Sequence, residues 1–150
     1  MAKIDFTGAP ELLAELRRRG ETAGPVAAAM LDAGAGAAVA SWRETITRLG
    51  LVKTGAMRDS ITAKPGKGGE MSREITAAGR DAKGTRNGEK AFILHYGTSR
   101  IRASYWWSMA EQDADPRVIA AMRAIWDDWN ASGEIPQGGS AGVYVARTKK

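Results

Sequence analysis

His95 is the single imidazole of the chain, and Cys is absent, so any bond-making chemistry has to be sought first around this residue. A catalytic His needs a nucleophile and an orienting acid close by in space. Thr98 and Ser99 follow it, but they stand at the start of a turn and form no recognisable site. One His excludes any centre that needs two imidazoles. It leaves a Ser-His-Asp triad only if His95 is the base. Without Cys there are no disulfides, thiolate ligands or Cys nucleophile. The plainer reading, a hydrogen-bonded structural or interface His, is the favoured one.

Carboxylates come next. Glu111, Asp113 and Asp115 lie close together in sequence, as do Asp127 and Asp128. A divalent-metal nuclease needs several carboxylates converging on one point. Asp115 is better explained as a helix N-cap, and Asp127 and Asp128 fall on the polar face of a helix. The glycine run Gly66-Lys67-Gly68-Gly69 lacks the Lys-Ser or Lys-Thr continuation of a phosphate-binding P-loop, and it joins two expected strands. No cofactor is expected. The net charge is +5 over 150 residues, which permits a polyanionic partner without requiring one. Lys64, Lys67, Arg80, Lys83 and Arg86 sit in glycine-rich stretches and are the candidates for nonspecific contact with DNA phosphates. Ordinary solubilising charge explains them equally well. Trp42, Trp126 and Trp129 fall on apolar helix faces, as core or interface residues. Trp106 and Trp107 are adjacent and point to different sides of a helix, so one of them, with Arg100 and Arg102 nearby, is a candidate interface residue.

The elements that would carry these side chains can be read in order. Pro10 suits a first helical turn, Leu12, Leu13 and Leu16 give one apolar side, and Gly20 can end the helix. Gly24-Pro25 then breaks the chain, and a second helix runs from Pro25 to Leu49. Its first half is rich in Ala and carries Gly34 and Gly36. Such small residues serve either an interface between chains or a buried face inside the monomer. Ser60–Lys64 and Met71–Ala78 read as strands joined by the turn Pro65–Gly69, a hairpin. Gly79–Glu89 is a loop. Ala91–Tyr96 reads as a buried strand, with His95 facing opposite Phe92, Leu94 and Tyr96, and Gly97 ends it. Ser104 is the expected N-cap of a helix, and Asp115-Pro116 opens another, whose apolar positions run through Ile125, Trp126 and Trp129 to the stop at Gly133. The fold class is therefore α+β: N-terminal helices, a small antiparallel sheet of about three to four strands, and C-terminal helices. Residues 1–132 form one expected domain, and 133–150 a flexible basic tail with a β-prone patch at Val143-Tyr144-Val145. No stretch approaches the ~20 apolar residues of a membrane span. The first residues lack the apolar core of a signal peptide. A cytoplasmic protein with no membrane contact is expected.

Two segments resemble a known family. Lys53-Thr54-Gly55-Ala56-Met57-Arg58-Asp59-Ser60 is similar to the x-Thr-Gly-x-Leu-Arg-x-Ser lead-in to the first strand of the phage tail-component family, typified by the gene-product-ten protein of a lambda-like coliphage. Its members are also described as neck or tail-completion proteins. His95-Tyr96-Gly97-Thr98-Ser99 resembles that family's aromatic-Gly-Thr turn, and Ala103–Ala110 stands where the family has an aromatic-bearing helix start. The resemblance spans about Leu12 to Trp129. Where the family often has Pro after the Gly-Thr turn, this chain has Arg102-Ala103-Ser104. The motif residues Thr54, Gly55, Arg58, Ser60, His95, Tyr96, Gly97 and Thr98 suit architectural jobs: Gly for tight backbone turns, Ser and Thr for satisfying exposed backbone groups, Arg58 for pairing with an acid.

The resemblance implies a non-enzymatic virion component made in the host cytoplasm and built into the tail or neck. Its implied partners are copies of itself in a ring, and other head–tail connector and tail proteins. A small basic nucleic-acid-binding protein is the alternative.

Overall fold

The computed structural model describes residues 9–67 and 69–134. The fold is α+β, with helices at both ends of a two-stranded antiparallel sheet. Helix α1 is Ala9–Arg48, α2 Ala56–Asp59, β1 Ile61–Gly66, β2 Gly69–Ala77, α3 Asn87–Tyr96 and α4 Trp106–Ser132.

Helix α1 runs unbroken through Gly20, Gly24 and Pro25. The expected pair of helices is thus one, roughly 60 Å long at 1.5 Å per residue. Pro25 removes one backbone bond of the ladder, at a cost of about 3 kcal/mol. Packing next to it offsets that cost. Val26 is buried, and Thr22 Oγ1 accepts a 3.0 Å hydrogen bond from Trp129 Nε1 of α4. Helix α4 lies antiparallel along α1. Arg18 donates to the Gly133 carbonyl at one end (2.8 Å), Arg117 pairs with Glu44 (2.6 Å), and Arg48 pairs with Asp113 at the other end. Pro116 is likewise internal to α4, so no second helix starts at Asp115. Ala110 and Ala114, both buried, hold the turn before it.

The small residues of α1 face inward. Gly34, Ala35 and Ala38 are buried. A Cβ on Gly34 would stand 3.1 Å from Met122 Cγ and 3.2 Å from Val118 Cγ1, so Gly lets the two long helices approach. Between Ala23 and Ala40 the helix carries one charge, Asp32. Ala14–Arg48 is therefore long and apolar enough to cross a membrane by length and composition, which corrects the expectation that no stretch reaches that limit. Here its apolar stripe covers α4 and the hairpin, and Asp32 pairs with Arg73 of β2 at 2.7 Å.

The hairpin is as expected, from Ile61 opposite Ala77 to Pro65 opposite Arg73, with a register irregularity at Pro65/Gly66. With only two strands, Pro65 sits where its missing N–H interrupts no further neighbour. The third expected strand, Ala91–Tyr96, is the second half of α3, so the sheet has two strands and not three to four. The core joins Ile46 of α1, Met57 of α2, Ile61 of β1, Ala91 of α3, and Trp106 and Ala110 of α4. Trp42 and Leu94 pack against it. Gly133 closes α4 with φ +71°. Beyond Glu134, the expected tail and its Val143-Tyr144-Val145 patch lie outside the described residues.

Candidate functional site

Helix α3 and the turn after it build a rigid aromatic corner. Asn87, Ala91 and His95, four apart, form the buried face of α3. Phe92 and Tyr96, also four apart, form the outward face and are 57% and 53% exposed. Their rings lie 4.7 Å apart. Gly97 caps the helix at φ +75°, ψ −175°, with its N–H on the Ile93 carbonyl at 2.7 Å. The chain then folds back. Thr98 Oγ1 accepts hydrogen bonds from the backbone N–H groups of Arg100 (3.2 Å) and Ile101 (3.1 Å). The N–H and hydroxyl of Ser104 both reach the Leu94 carbonyl, and the Tyr105 N–H reaches that of His95. The carbonyls left open at the end of α3 are thereby satisfied. Ser104, expected as the N-cap of α4, is spent on this contact. Tyr105 takes the cap position in the left-handed region, φ +52°, and its ring is 59% exposed.

His95 pins the corner. Its ring stacks on Trp107 at 3.7 Å and 17°, and Nδ1 accepts from the Trp107 backbone N–H at 3.3 Å. Tyr96 and Tyr105 meet it edge-on. Burial pushes the His95 imidazole below its usual value, with Glu111 opposing the shift. A neutral ring is required, because protonation removes the acceptor at Nδ1. The folded state therefore binds the proton less readily than the unfolded chain. The stability tied to His95 is fully present above the unfolded value of about 6.5 and is lost progressively below it, as pH falls through the lowered folded value. Melting curves between pH 7.5 and 5.5 should show a falling Tm for the native sequence. A His95→Asn variant, less stable at pH 7.5, should show a shallower fall. Parallel slopes would rule this out.

Beside the corner lies a cleft of about 870 Å³. One wall is the Gly50–Asp59 segment, another the 81–85 loop, and Ile93, Leu94 and Ile101 line the remainder. Thr54 Oγ1 accepts from the Ala56 N–H (3.4 Å), and Gly55 adopts φ +80° to open α2. Arg58 pairs with Asp59 at 2.7 Å, which holds the Asp59 carboxyl below the usual range and raises the Arg58 guanidinium. Ser60 donates to the Met57 carbonyl (2.6 Å). The Thr-Gly-x-x-Arg motif thus leads into a helical turn first, and into β1 only at Ile61.

Two organisers escape the motif reading. Arg43 of α1 donates to the carbonyls of Asp59 (3.2 Å) and Ile61 (2.7 Å), fixing the motif against the long helix. Asp81 accepts from the backbone N–H groups of Lys83 (2.9 Å) and Thr85 (2.8 Å), and from the Lys90 ammonium, which lowers its carboxyl pKa most. Asp-x-Lys-Gly is the turn-forming composition that could have signalled it.

The candidate residues fall into separate places. Thr54, Gly55, Arg58 and Lys83 line the cleft; His95, Tyr96 and Trp107 form the corner. Gly97 and Thr98 shape the turn that carries exposed Arg100 and Arg102. Trp106 points into the core and is fully buried. Trp126, expected on an apolar face, is 46% exposed, because Ile125 and Trp129 occupy the side of α4 turned to α1. Of the basic residues, Lys64 pairs with Glu74 and Lys67 is at the hairpin tip. Arg80 and Arg86 oppose each other in a β-bridge at the hairpin base and line a hollow of about 580 Å³. Asp113 is engaged by Arg48 and Thr45.

Neither a family model, nor a curated protein, nor a solved structure matches this chain.

Proposed function

We propose that this chain is a structural component of a phage head–tail joint, a neck, tail-completion or tail-terminator protein that works by contact and not by catalysis. The observation that carries the reading is the aromatic corner. Phe92, Tyr96 and Tyr105 are more than half exposed, yet the stack of buried His95 on Trp107 and the hydrogen bonds of the turn hold them in place. Large apolar side chains fixed at a surface are what a docking face requires, and pre-ordering lowers the entropic cost of association. Of the two segments that resemble the tail-component family, Lys53–Ser60 supplies most of its residues to the cleft wall and His95–Ser99 belongs to the corner and the turn after it. The partners are further copies of the chain and the connector and tail proteins at the joint, met in the host cytoplasm and retained in the virion.

A second reading has its own observation. Arg80 and Arg86 face each other across one bridge, an arrangement that a nucleic-acid phosphate would relieve. One experiment weighs both. The purified chain is co-sedimented with phage tails that lack this component, and titrated with duplex DNA at stepped salt. Saturable tail binding with weak DNA binding is the expected result. Tight, steeply salt-dependent DNA binding with no tail association would replace the first reading by the second.

A further inference from the structure

Helix α4 buries one apolar face and, among the described residues, leaves two large apolar side chains exposed on another. The inner face, with Ala110, Ala114, Ile125 and Trp129, is buried. The outer one carries Ile119, 56% exposed, and Trp126, 46% exposed, seven residues apart and so on one stripe. Asp115, one turn before Ile119, and Asp127, beside Trp126, flank that stripe; Arg123 shares it. None of these three charges has an ion-pair partner among the described residues.

The cleft at the other end of the helix pair has the complementary chemistry. Its exposed apolar mouth is Val52 and Ile101. Arg58 and Lys90 on its walls are neutralised by Asp59 and Asp81. Lys53 and Lys83, both exposed, have no ion-pair partner among the described residues, and they come from two different walls, the Gly50–Asp59 segment and the 81–85 loop. An occupant with apolar anchors flanked by carboxylates fits both properties.

We infer that the cleft of one copy receives the Ile119–Trp126 stripe of α4 from a second copy, with Lys53 and Lys83 facing Asp115 and Asp127. The contact cannot form within one chain. Helix α4 is fastened along α1 by Arg18–Gly133, Trp129–Thr22 and Arg117–Glu44. Trp126 also stands roughly 20 Å along the helix from Asp113, which is level with the end of α1. Two different patches on one chain make the contact heterologous: each copy gives one face and offers one cleft, so association continues beyond a dimer and closes into a ring where the rotation between copies allows it. This inference rests on the self-association part of the proposed function and names its surfaces.

The test uses the full chain and two variants. Ile119→Ser/Trp126→Ala spoils the stripe, and Lys53→Glu/Lys83→Glu spoils the cleft. All four positions are exposed, so both variants should fold, as circular dichroism and melting would verify. Sedimentation velocity over rising concentration should show the native chain associating beyond dimer. Each variant alone should associate at least about tenfold more weakly. An equimolar mixture of the two should form a 1:1 dimer and nothing larger, since it holds one intact stripe and one intact cleft. A native chain that stays monomeric, or folded variants that associate like it, would overturn the contact. So would a mixture that stays monomeric, or one that grows beyond dimer. Variants that lose self-association yet still sediment with tails would support the contact while locating tail binding elsewhere. Loss of tail binding by the native chain, with the mixing result intact, would strike the assembly reading and leave the contact standing.

Discussion

Replacing Trp106 with Ala is expected to remove about 3–5 kcal/mol of stability, the usual cost of emptying a large aromatic site. Trp106 has no exposed surface. Its cluster draws one residue from nearly every element: Ile46, Met57, Ile61, Ala91 and Ala110. Trp42 meets it edge-to-face at 5.5 Å, and its indole N–H donates to the Ala91 carbonyl at 3.0 Å inside the core. Truncation removes the volume, the ring contact and that bond together. Domains of this kind hold about 5–15 kcal/mol in total, so roughly a fifth or more of the stability is at stake. Trp106→Phe keeps part of the ring but not the N–H, and should fall between. Urea unfolding of the three proteins measures the series. A loss below about 1 kcal/mol for Trp106→Ala would mean that the core closes around the gap, contrary to its close packing.

Gly97→Ala should have an effect of similar rank for a different reason. At φ +75°, ψ −175° the backbone lies in a region that only Gly occupies readily, which alone costs about 1–3 kcal/mol. The added Cβ would also stand 2.5 Å from the Ile101 carbonyl oxygen and 2.6 Å from the Ala103 nitrogen. Both are backbone atoms, so no rotamer change relieves the clash. The turn must open, drawing Ser104 and Tyr105 off the Leu94 and His95 carbonyls and taking Trp107 from its stack on His95. We expect about 3 kcal/mol or more of destabilisation, with loss of near-ultraviolet aromatic signal. Gly84→Ala is the matched control. It shares a positive φ of +80°, but nothing lies within 4 Å of its Cβ, so only the backbone term, roughly 1–2 kcal/mol, remains. Equal losses for the two would contradict the steric account.

These two residues also show what the sequence makes legible. Gly97 after an apolar run and Gly133 are local signals that mark real helix ends, and the expected Pro65–Gly69 turn marks the hairpin connection, although β1 runs on through Gly66 and β2 begins at Gly69. The hairpin is local too, since its strands alternate around a short connection. Misreadings arise where packing overrides local preference. Ala91–Tyr96 looks like a strand because it is apolar throughout, and a short apolar run does not reveal its period. It is a helix whose inner face enters the core while Phe92 and Tyr96 remain outside, and that outward aromatic face is what hides the helical pattern. Pro25 and Pro116 read as breaks, but each sits on a long helix whose partner helix holds both sides of it. Arg43 could not be singled out, because its importance lies in the Asp59 and Ile61 carbonyls brought near it by folding, whereas Asp81 carried a local turn signal in Asp-x-Lys-Gly. The aromatic corner was only half visible: Trp107 and the Gly-Thr turn stood out, whereas the stacking of His95 needs the three-dimensional return of the chain.

The central claim is that this protein acts by occupying a place in a phage head–tail joint. Electron microscopy of tails lacking the component, before and after addition of the purified chain carrying a small label, tests it most directly. The account predicts a ring of label at the head-proximal end and nowhere else, weakened when Phe92 and Tyr96 are both changed to Ser. Tails that remain bare at saturating protein, or label scattered along the tube, would contradict it.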